Sequence, residues 1–321
     1  MGMARLTSER GSGQNASKIS WPEGKTFAFT IFDDPDFQTV ERAGVVYDLL
    51  ADRGFRTTKG VWPGDESDPG GTCADPEYRR WAVSLQERGF EMGWHGARPR
   101  TSVRKQTVAG FEKFYETFGC WPTTVSQHYD CRENVYWGDQ RVTAAPHRFL
   151  YNALTRWRNH GLFRGHIPGD ALYWGDICRE RVKYVRNFVF PNINTLAACP
   201  LMPYHDPARP DVKAWFASST GDHAASFVQT LSEQNQERLE AEGGACIMYA
   251  HFAYEFAERG VLNPRFRELM ERLSKKNGWF VPVGTLLDYI NRVRGPVTLE
   301  RAQRNYLERR WLVYKIRSGT A

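Results

Sequence analysis

The chain has 321 residues, 41% of them hydrophobic and 25% charged, with a net charge of +6. That is the composition of a globular protein with a sizeable core, and the length fits one large α/β domain or two small ones. The positive charge is densest at the C-terminus (Arg301, Arg304, Arg309, Arg310, Lys315, Arg317) and interleaves with no recognisable nucleic-acid motif, so no nucleic-acid partner is expected. The N-terminal MGMARLTSERGSGQNASKIS is polar with no apolar core, and it reads as a disordered segment over 1–20, not a signal peptide. Residues 26–32 alternate Phe27, Phe29 and Ile31 with Ala28, Thr30 and Phe32, apolar on both faces as a buried strand requires. Residues 38–53 place Val40, Ala43, Val46, Leu49 and Leu50 at helical spacing and stop at Gly54. The alternation continues with strand 55–62, a helix over 76–88 opening on Pro76, and strand 90–94. A helix capped by Thr101 or Ser102 then runs to about 118, followed by strand 123–128.

A long middle region, about 130–222, holds Trp137, Trp157, Trp174 and Trp215 among prolines and glycines. It is too long for a connection and reads as insertions over the rim. The pattern returns with strand 185–190, helix 223–241, strand 245–250, helix 264–276, strand 279–282 and a last short helix over 284–293. Such alternation means a parallel sheet covered by helices, doubly wound or closed as a barrel. There is no GxGxxG and no Walker sequence, which weighs against nucleotide-binding folds. No linker divides the chain, so 21–321 is expected to be one domain. The cysteines (73, 120, 131, 178, 199, 246) form no CxxC pair and read as free thiols of a cytoplasmic protein. No stretch reaches the length of a membrane span.

In parallel α/β folds, function collects where the strands end. The first strand runs into Asp33, Asp34 and Asp36. Strand 90–94 delivers His95, strand 123–128 delivers His128 with Asp130, Arg132 and Asn134 behind it, and strand 245–250 delivers His251. Each histidine alone could be a hydrogen-bonded structural residue, and the aspartates a polar turn. Together on one edge they offer the imidazole and carboxylate donors that suit Zn²⁺ or a similar divalent ion, with a spare carboxylate for metal-assisted hydrolysis. Arg132, Glu133, Asn134 and Trp137, on the loop past His128, are candidates to bind substrate, with a plain surface loop an equally good reading for Glu133. His205 and Asp206, in a Pro-rich loop, are expected to be peripheral.

The order of these motifs resembles the polysaccharide deacetylases of the NodB-homology type, carbohydrate esterase family 4. Ile31-Phe32-Asp33-Asp34 stands where that family has Thr-Phe-Asp-Asp. Glu91-Met92-Gly93-Trp94-His95 matches its Glu-Ile-Gly-x-His, and Ile247 to His251 fits its late histidine motif loosely. The resemblance spans about 25–290 and implies a distorted (β/α)₇ barrel that hydrolyses an N-acetyl or similar amide on a sugar. Carried over, Asp33 would be the general base, Asp34 and His95 metal ligands, and His251 the general acid. The family's second ligand histidine falls on Pro99, which cannot bind a metal, and its third motif is replaced by Ser126-Gln127-His128-Tyr129-Asp130. His128 is therefore expected to supply the missing ligand. The family's tryptophan motif could correspond to Trp174 with Asp176, or to Trp215. The expected cofactor is a divalent metal, zinc first. The expected partner is a carbohydrate, a sugar nucleotide or glycan precursor of cell-surface polysaccharide synthesis in the cytoplasm. Pro99 also motivates an alternative, a non-catalytic carbohydrate-binding relative that has lost its metal.

Overall fold

A strand that is apolar on both faces needs a partner on each side and cover on both. The computed structural model, which describes residues 19–64 and 71–318, provides both. Strand β1 (Phe27–Asp33) is buried at every position. It is followed by α1 (Val40–Asp52), β2 (Thr58–Val61), α2 (Pro76–Glu87), β3 (Glu91–Trp94), α3 (Arg104–Phe118) and the two-residue β4 (Thr124–Val125). The middle region contains α4 (Ala145–Leu154), α5 (Gly175–Arg181), β5 (Tyr184–Phe190), α6 (Thr195–Ala198), β6 (Tyr204–His205) and β7 (Ala214–Ser219). Then come α7 (Ala224–Thr230), α8 (Glu233–Glu242), β8 (Ala245–Ala250), the hairpin β9 (Ala257–Glu258) and β10 (Val261–Leu262), and α9 (Pro264–Ser274). The chain closes with β11 (Gly278–Trp279), α10 (Val283–Arg294), β12 (Val297–Thr298) and α11 (Arg301–Ser318).

Strands β1, β2, β3, β4, β5 and β7 pair in that order in parallel, and β8 pairs with both β7 and β1. Seven strands thus close a ring, and the expected distorted (β/α)₇ barrel is the observed one. The distortion has two seams. β1 meets β2 only at Phe32 and Asp33, while β11 fills the gap below against Phe27 and Ala28. β7 meets β8 only at Ser219↔Met248, and β6 runs antiparallel beside Trp215 further down. The barrel is therefore splayed at its base and tight at the C-terminal ends of the strands.

Helix starts follow their sequence signals where a side chain can cap. Thr39 Oγ1 accepts from the Arg42 N–H (3.2 Å), and Asp75, ahead of Pro76, accepts from the Glu77 N–H (2.8 Å). Helix α3 differs from expectation, because neither Thr101 nor Ser102 caps it. Val103 holds the cap position, and the Gln106 side chain turns back to accept the Val103 N–H (3.0 Å). The expected helix 223–241 is two helices, α7 and α8, restarted at Ser232. The middle region supplies two barrel strands, the expected β5 and also β7, as well as rim, and the 284–293 helix is followed by the longer α11. Residues 1–18 of the expected N-terminal segment lie outside the described residues. Ile19 is buried, and the Ser20 carbonyl accepts from the Tyr289 hydroxyl (2.5 Å). All six cysteines are unpaired. Among the described residues no helix is long and apolar enough to cross a membrane.

Candidate active site

The tight end of the barrel opens into a cavity of about 350 Å³ whose floor and walls include Asp34, Asp36, His95, His128, Arg186, Tyr249 and His251. Asp36 is its centre. The chain leaves β1 through a reverse turn in which the Gln38 N–H donates to the Pro35 carbonyl (3.1 Å) and Phe37 sits at φ +53°. A non-glycine residue in the left-handed region costs on the order of 1 kcal/mol or more and is tolerated where the surroundings over-determine it. The turn swings the Asp36 carboxylate back over the barrel mouth. There Oδ1 lies 2.9 Å from His128 Nε2, and Oδ2 lies 2.7 Å from His251 Nε2 and 3.7 Å from His95 Nε2. Burial alone would raise the Asp36 pKa, but hydrogen bonds from His128 and His251 and the nearby His95 imidazole outweigh it and hold the carboxyl well below its ordinary range. Burial likewise works against charge on His128 and His251, and the Asp36 carboxylate overrides it, raising both imidazoles.

Each imidazole is held from behind. His95 Nδ1 is 3.3 Å from Ser126 Oγ and 3.5 Å from Asp34 Oδ1. Its Nε2 is buried with no hydrogen-bond partner among the described residues. His251 Nδ1 is 2.9 Å from the Asp222 carbonyl oxygen, which fixes a proton on that nitrogen and leaves Nε2 facing the cavity. The loop after β4 is tied down by Gln127, which donates to the Val135 carbonyl and accepts its N–H, and by Asn134 Nδ2, which donates to the His128 carbonyl (2.5 Å). Asp36, His95 and His128 offer one carboxylate oxygen and two ring nitrogens, all within 4.8 Å of one another. Asp34, Asp36 and His251 satisfy the same condition. The first set is a donor combination that divalent zinc accepts, and the orphaned Nε2 of His95 is an atom that a cation would satisfy. The residues fit a metal.

The two consecutive aspartates separate by strand alternation. Asp34 lines the cavity, where Oδ1 accepts from Ser126 Oγ (2.6 Å) and Oδ2 from Arg186 Nη2 (2.7 Å). Asp33 points the other way, between the barrel and α1. Its Oδ2 accepts from the Tyr47 hydroxyl (2.6 Å) and Gln38 Nε2 (2.7 Å), and its Oδ1 from the Phe252 N–H (2.8 Å). Burial raises the Asp33 pKa, against the nearby Lys59 charge and these three donors. With both oxygens engaged and no face on the cavity, Asp33 is not placed to take a proton from substrate or water.

Of the other expected residues, Trp137 lines the cavity, Asn134 acts behind it by holding the His128 loop, and Arg132 is exposed away from it. Glu133, read equally well as substrate contact or surface, is buried outside the cavity. Pro99 lies in the bend after β3 with no part in the cavity. Asp206 is buried against Arg209 (2.9 Å) and Arg304 (2.6 Å) and does not line the cavity. Trp174 donates to the Glu133 carbonyl (2.5 Å), Asp176 pairs with Arg104 (2.7 Å), and none of Trp174, Asp176 and Trp215 reaches the cavity. Sequence reasoning missed Arg186 on β5 and Arg141, Tyr151 and Lys315 on the far wall. A charged residue inside a strand that otherwise reads apolar, Tyr-Val-Arg-Asn-Phe-Val-Phe, was the available signal for Arg186.

No family model and no curated protein matches the chain. Solved structures do. A protein classed as a polysaccharide deacetylase from Mycobacterium smegmatis superposes with a TM-score of 0.53 at 13% identity, over 88% of this chain and 97% of its own. Puue allantoinase superposes with a TM-score of 0.50 at 11% identity, over 90% of this chain and 98% of its own. At such identities the shared property is the path of the backbone, since one fold hosts several chemistries. The chain has the barrel fold of the polysaccharide deacetylases.

Proposed function

We propose that the protein is a metal-dependent hydrolase of a C–N amide bond on a carbohydrate, a deacetylase-like enzyme. Its substrate in this reading is a cytoplasmic precursor of cell-surface polysaccharide, a sugar nucleotide or lipid-linked glycan. One observation carries it: three imidazole Nε2 atoms converge on the Asp36 carboxylate at the mouth of a deacetylase-type barrel, and that of His95 makes no hydrogen bond among the described residues. Asp36, His95 and His128 would hold the ion, zinc being the first candidate. Bound there, a divalent cation supplies Lewis acidity toward an amide carbonyl and makes water more acidic. Asp34, oriented by Ser126 and Arg186, is the carboxylate placed to take the proton from attacking water. His251, whose Nδ1 is fixed by the Asp222 carbonyl, presents Nε2 to give a proton to the departing nitrogen, which is too basic to leave as an anion. Arg186 balances the Asp34 charge inside the barrel, and Trp137 shapes the wall. One solved neighbour is named for a polysaccharide and the other for allantoin, so the substrate must be argued from the cavity. Six unpaired cysteines favour a reducing compartment. The position of His128 beside Asp36 supports metal retention despite Pro99, and weighs against the binding-only alternative. The test is metal content of the purified protein together with acetate release from N-acetylated sugars. A protein that holds no divalent ion after zinc loading refutes the mechanism.

A further inference from the structure

Helix α4 is built inside out. Its exposed positions Pro146, Phe149, Leu150, Ala153 and Leu154 follow the i, i+3, i+4, i+7, i+8 spacing of an apolar stripe. The positions that turn inward carry polar groups instead. Tyr151 and Asn152 are buried, His147 Nδ1 lies 2.9 Å from Glu308 Oε2, and Arg148 Nε donates to the Val142 carbonyl (3.2 Å). The apolar stripe therefore faces away from the protein, with Phe149 65%, Leu150 39% and Leu154 42% exposed. Just past the helix, Arg156 and Trp157 sit at φ +51° and +59°. Two successive non-glycine residues in the left-handed region are a disfavoured arrangement, of the kind that persists where a site needs it. The turn brings the half-exposed Trp157 ring to 6.0 Å from that of Phe149, adding a second large aromatic to the stripe. Its border is cationic. Arg156 and Arg158 are exposed, and residues 140–169 contain no aspartate or glutamate.

A helix that turns Phe, Leu and Trp outward and is bordered by arginine suits the plane of an anionic membrane surface. Its 10 residues rise about 15 Å, half of a bilayer's hydrocarbon core, so α4 would lie on a membrane and not cross it. A second copy of the chain is a poorer occupant, because two arginine-bordered faces repel each other. The polar segment before Ile19 is a poorer one too. It joins the protein at the opposite end of the barrel, where Trp21 Nε1 donates to the Gly243 carbonyl (3.0 Å) ahead of β8. The face also borders the cavity: Tyr151 and Asn159 line it, and the Tyr129 hydroxyl donates to Asn159 Oδ1 (3.5 Å). We propose that the outer face of α4, with Trp157 and its flanking arginines, docks the protein on an anionic lipid bilayer. Given the hydrolase reading, on which this consequence rests, the lipid-linked glycan is favoured as substrate over the sugar nucleotide.

The test is co-sedimentation of the full chain with vesicles of phosphatidylcholine, alone or with about a third phosphatidylglycerol. The protein binds the anionic vesicles roughly tenfold or more tightly than the neutral ones, and added salt weakens that binding. Phe149→Ser with Trp157→Ser lowers it by about tenfold or more, because two large apolar side chains no longer leave water. Arg156→Gln with Arg158→Gln lowers it by a similar factor through lost charge. All four positions are exposed, so both variants should keep the wild-type Tm. No measurable binding to anionic vesicles, equal binding to both compositions, or wild-type binding by either variant overturns the docking surface. A dimer that the serine variant dissolves, in a protein that does not bind vesicles, would make the face an interface between copies and overturn it equally. Should the serine variant fail to fold, the arginine variant decides alone. In the metal-loaded enzyme, both variants should lose turnover of an N-acetylated glycolipid held in the anionic vesicles and keep that of a soluble N-acetylated sugar. Equal effects on the two substrates overturn the lipid-linked substrate alone. Absence of acetate release from either would refute the hydrolase reading and leave the vesicle result standing.

Discussion

An aspartate at the end of a barrel strand can face the helices or the mouth, and Phe-Asp-Asp-Pro-Asp does both. Asp33 goes outward to Tyr47 and Gln38, Asp34 inward to Arg186, and Asp36 returns over the mouth through the Pro35 turn. The three carboxylates therefore predict three different losses. Asp36→Ala removes the metal, measured as zinc per protein after loading. Asp34→Asn keeps the metal and lowers turnover by about 10²–10⁴-fold, the range of a lost general base. Asp33→Ala keeps the metal and loses stability. Lys59 is fully buried against the rings of Tyr47, Tyr78 and Trp81, is joined to Asp33 through the Gln38 side chain, and has the Asp33 carboxylate as the main charge supporting it. Removing the carboxylate that offsets a buried cation costs on the order of 3–5 kcal/mol, to be read from urea unfolding. A metal-free Asp33→Ala protein that unfolds normally would reverse the assignments of Asp33 and Asp36. The histidines divide similarly. His128→Ala loses the ion, whereas His251→Ala retains it and loses turnover, because His251 can be replaced on Asp36 but not as the proton donor.

Among the elements, those between 27 and 118 were legible in the sequence because each pairs a strand or apolar stripe with a clear boundary, such as the helix stop at Gly54 and the helix start at Pro76. β7 and α11 were not. β7 reads Ala-Trp-Phe-Ala-Ser-Ser, too small and polar at its end to resemble a core strand, yet it is buried at five of six positions because its small residues suit the crowded seam beside β8. α11 is basic along its length, and only Leu307, Trp311 and Leu312 go in, with Glu308. Trp311 stacks on Tyr151 at 5.7 Å and lies 5.0 Å from Phe188, so Trp311→Ala should cost about 3–5 kcal/mol. The loop after β4 gives a pH prediction. Burial pushes Glu133 up to about 7 from its ordinary 4.5. The folded state then keeps a proton that the unfolded state releases, so this group makes stability fall as pH rises from about 4.5 through 7. Glu133→Gln should flatten the wild-type loss between pH 5 and 7, by up to about 3 kcal/mol, in urea titrations at each pH. An unchanged slope would mean that the carboxyl is solvated.

For the whole molecule, the site lies where the barrel is tightest, and its candidate ligands come from chain positions far apart: 36 after β1, 95 after β3, 128 after β4. Strand-end histidines were readable because β3 and β8 end abruptly before a polar residue. Their meeting on one edge followed from the strand ends, but the choice of Asp36 over Asp34 as the carboxylate they meet on was not readable, since it depends on a turn two residues past β1. A cation held by Asp36, His95 and His128 would therefore join three separate strand exits and act as a cross-link present only in the folded chain. At a free concentration about 100-fold above its Kd it adds about 2.7 kcal/mol of stability. For a domain of this size that corresponds to about 5 °C in Tm. Chelation of the loaded protein should lower Tm by that order, and zinc should restore it. Asp36→Ala should show the lower Tm from the start and no response to chelator, while Asp34→Asn should respond as the wild type does. A chelator effect that persists in Asp36→Ala would place the ion elsewhere, with Asp34 and His251 the next candidates to hold it.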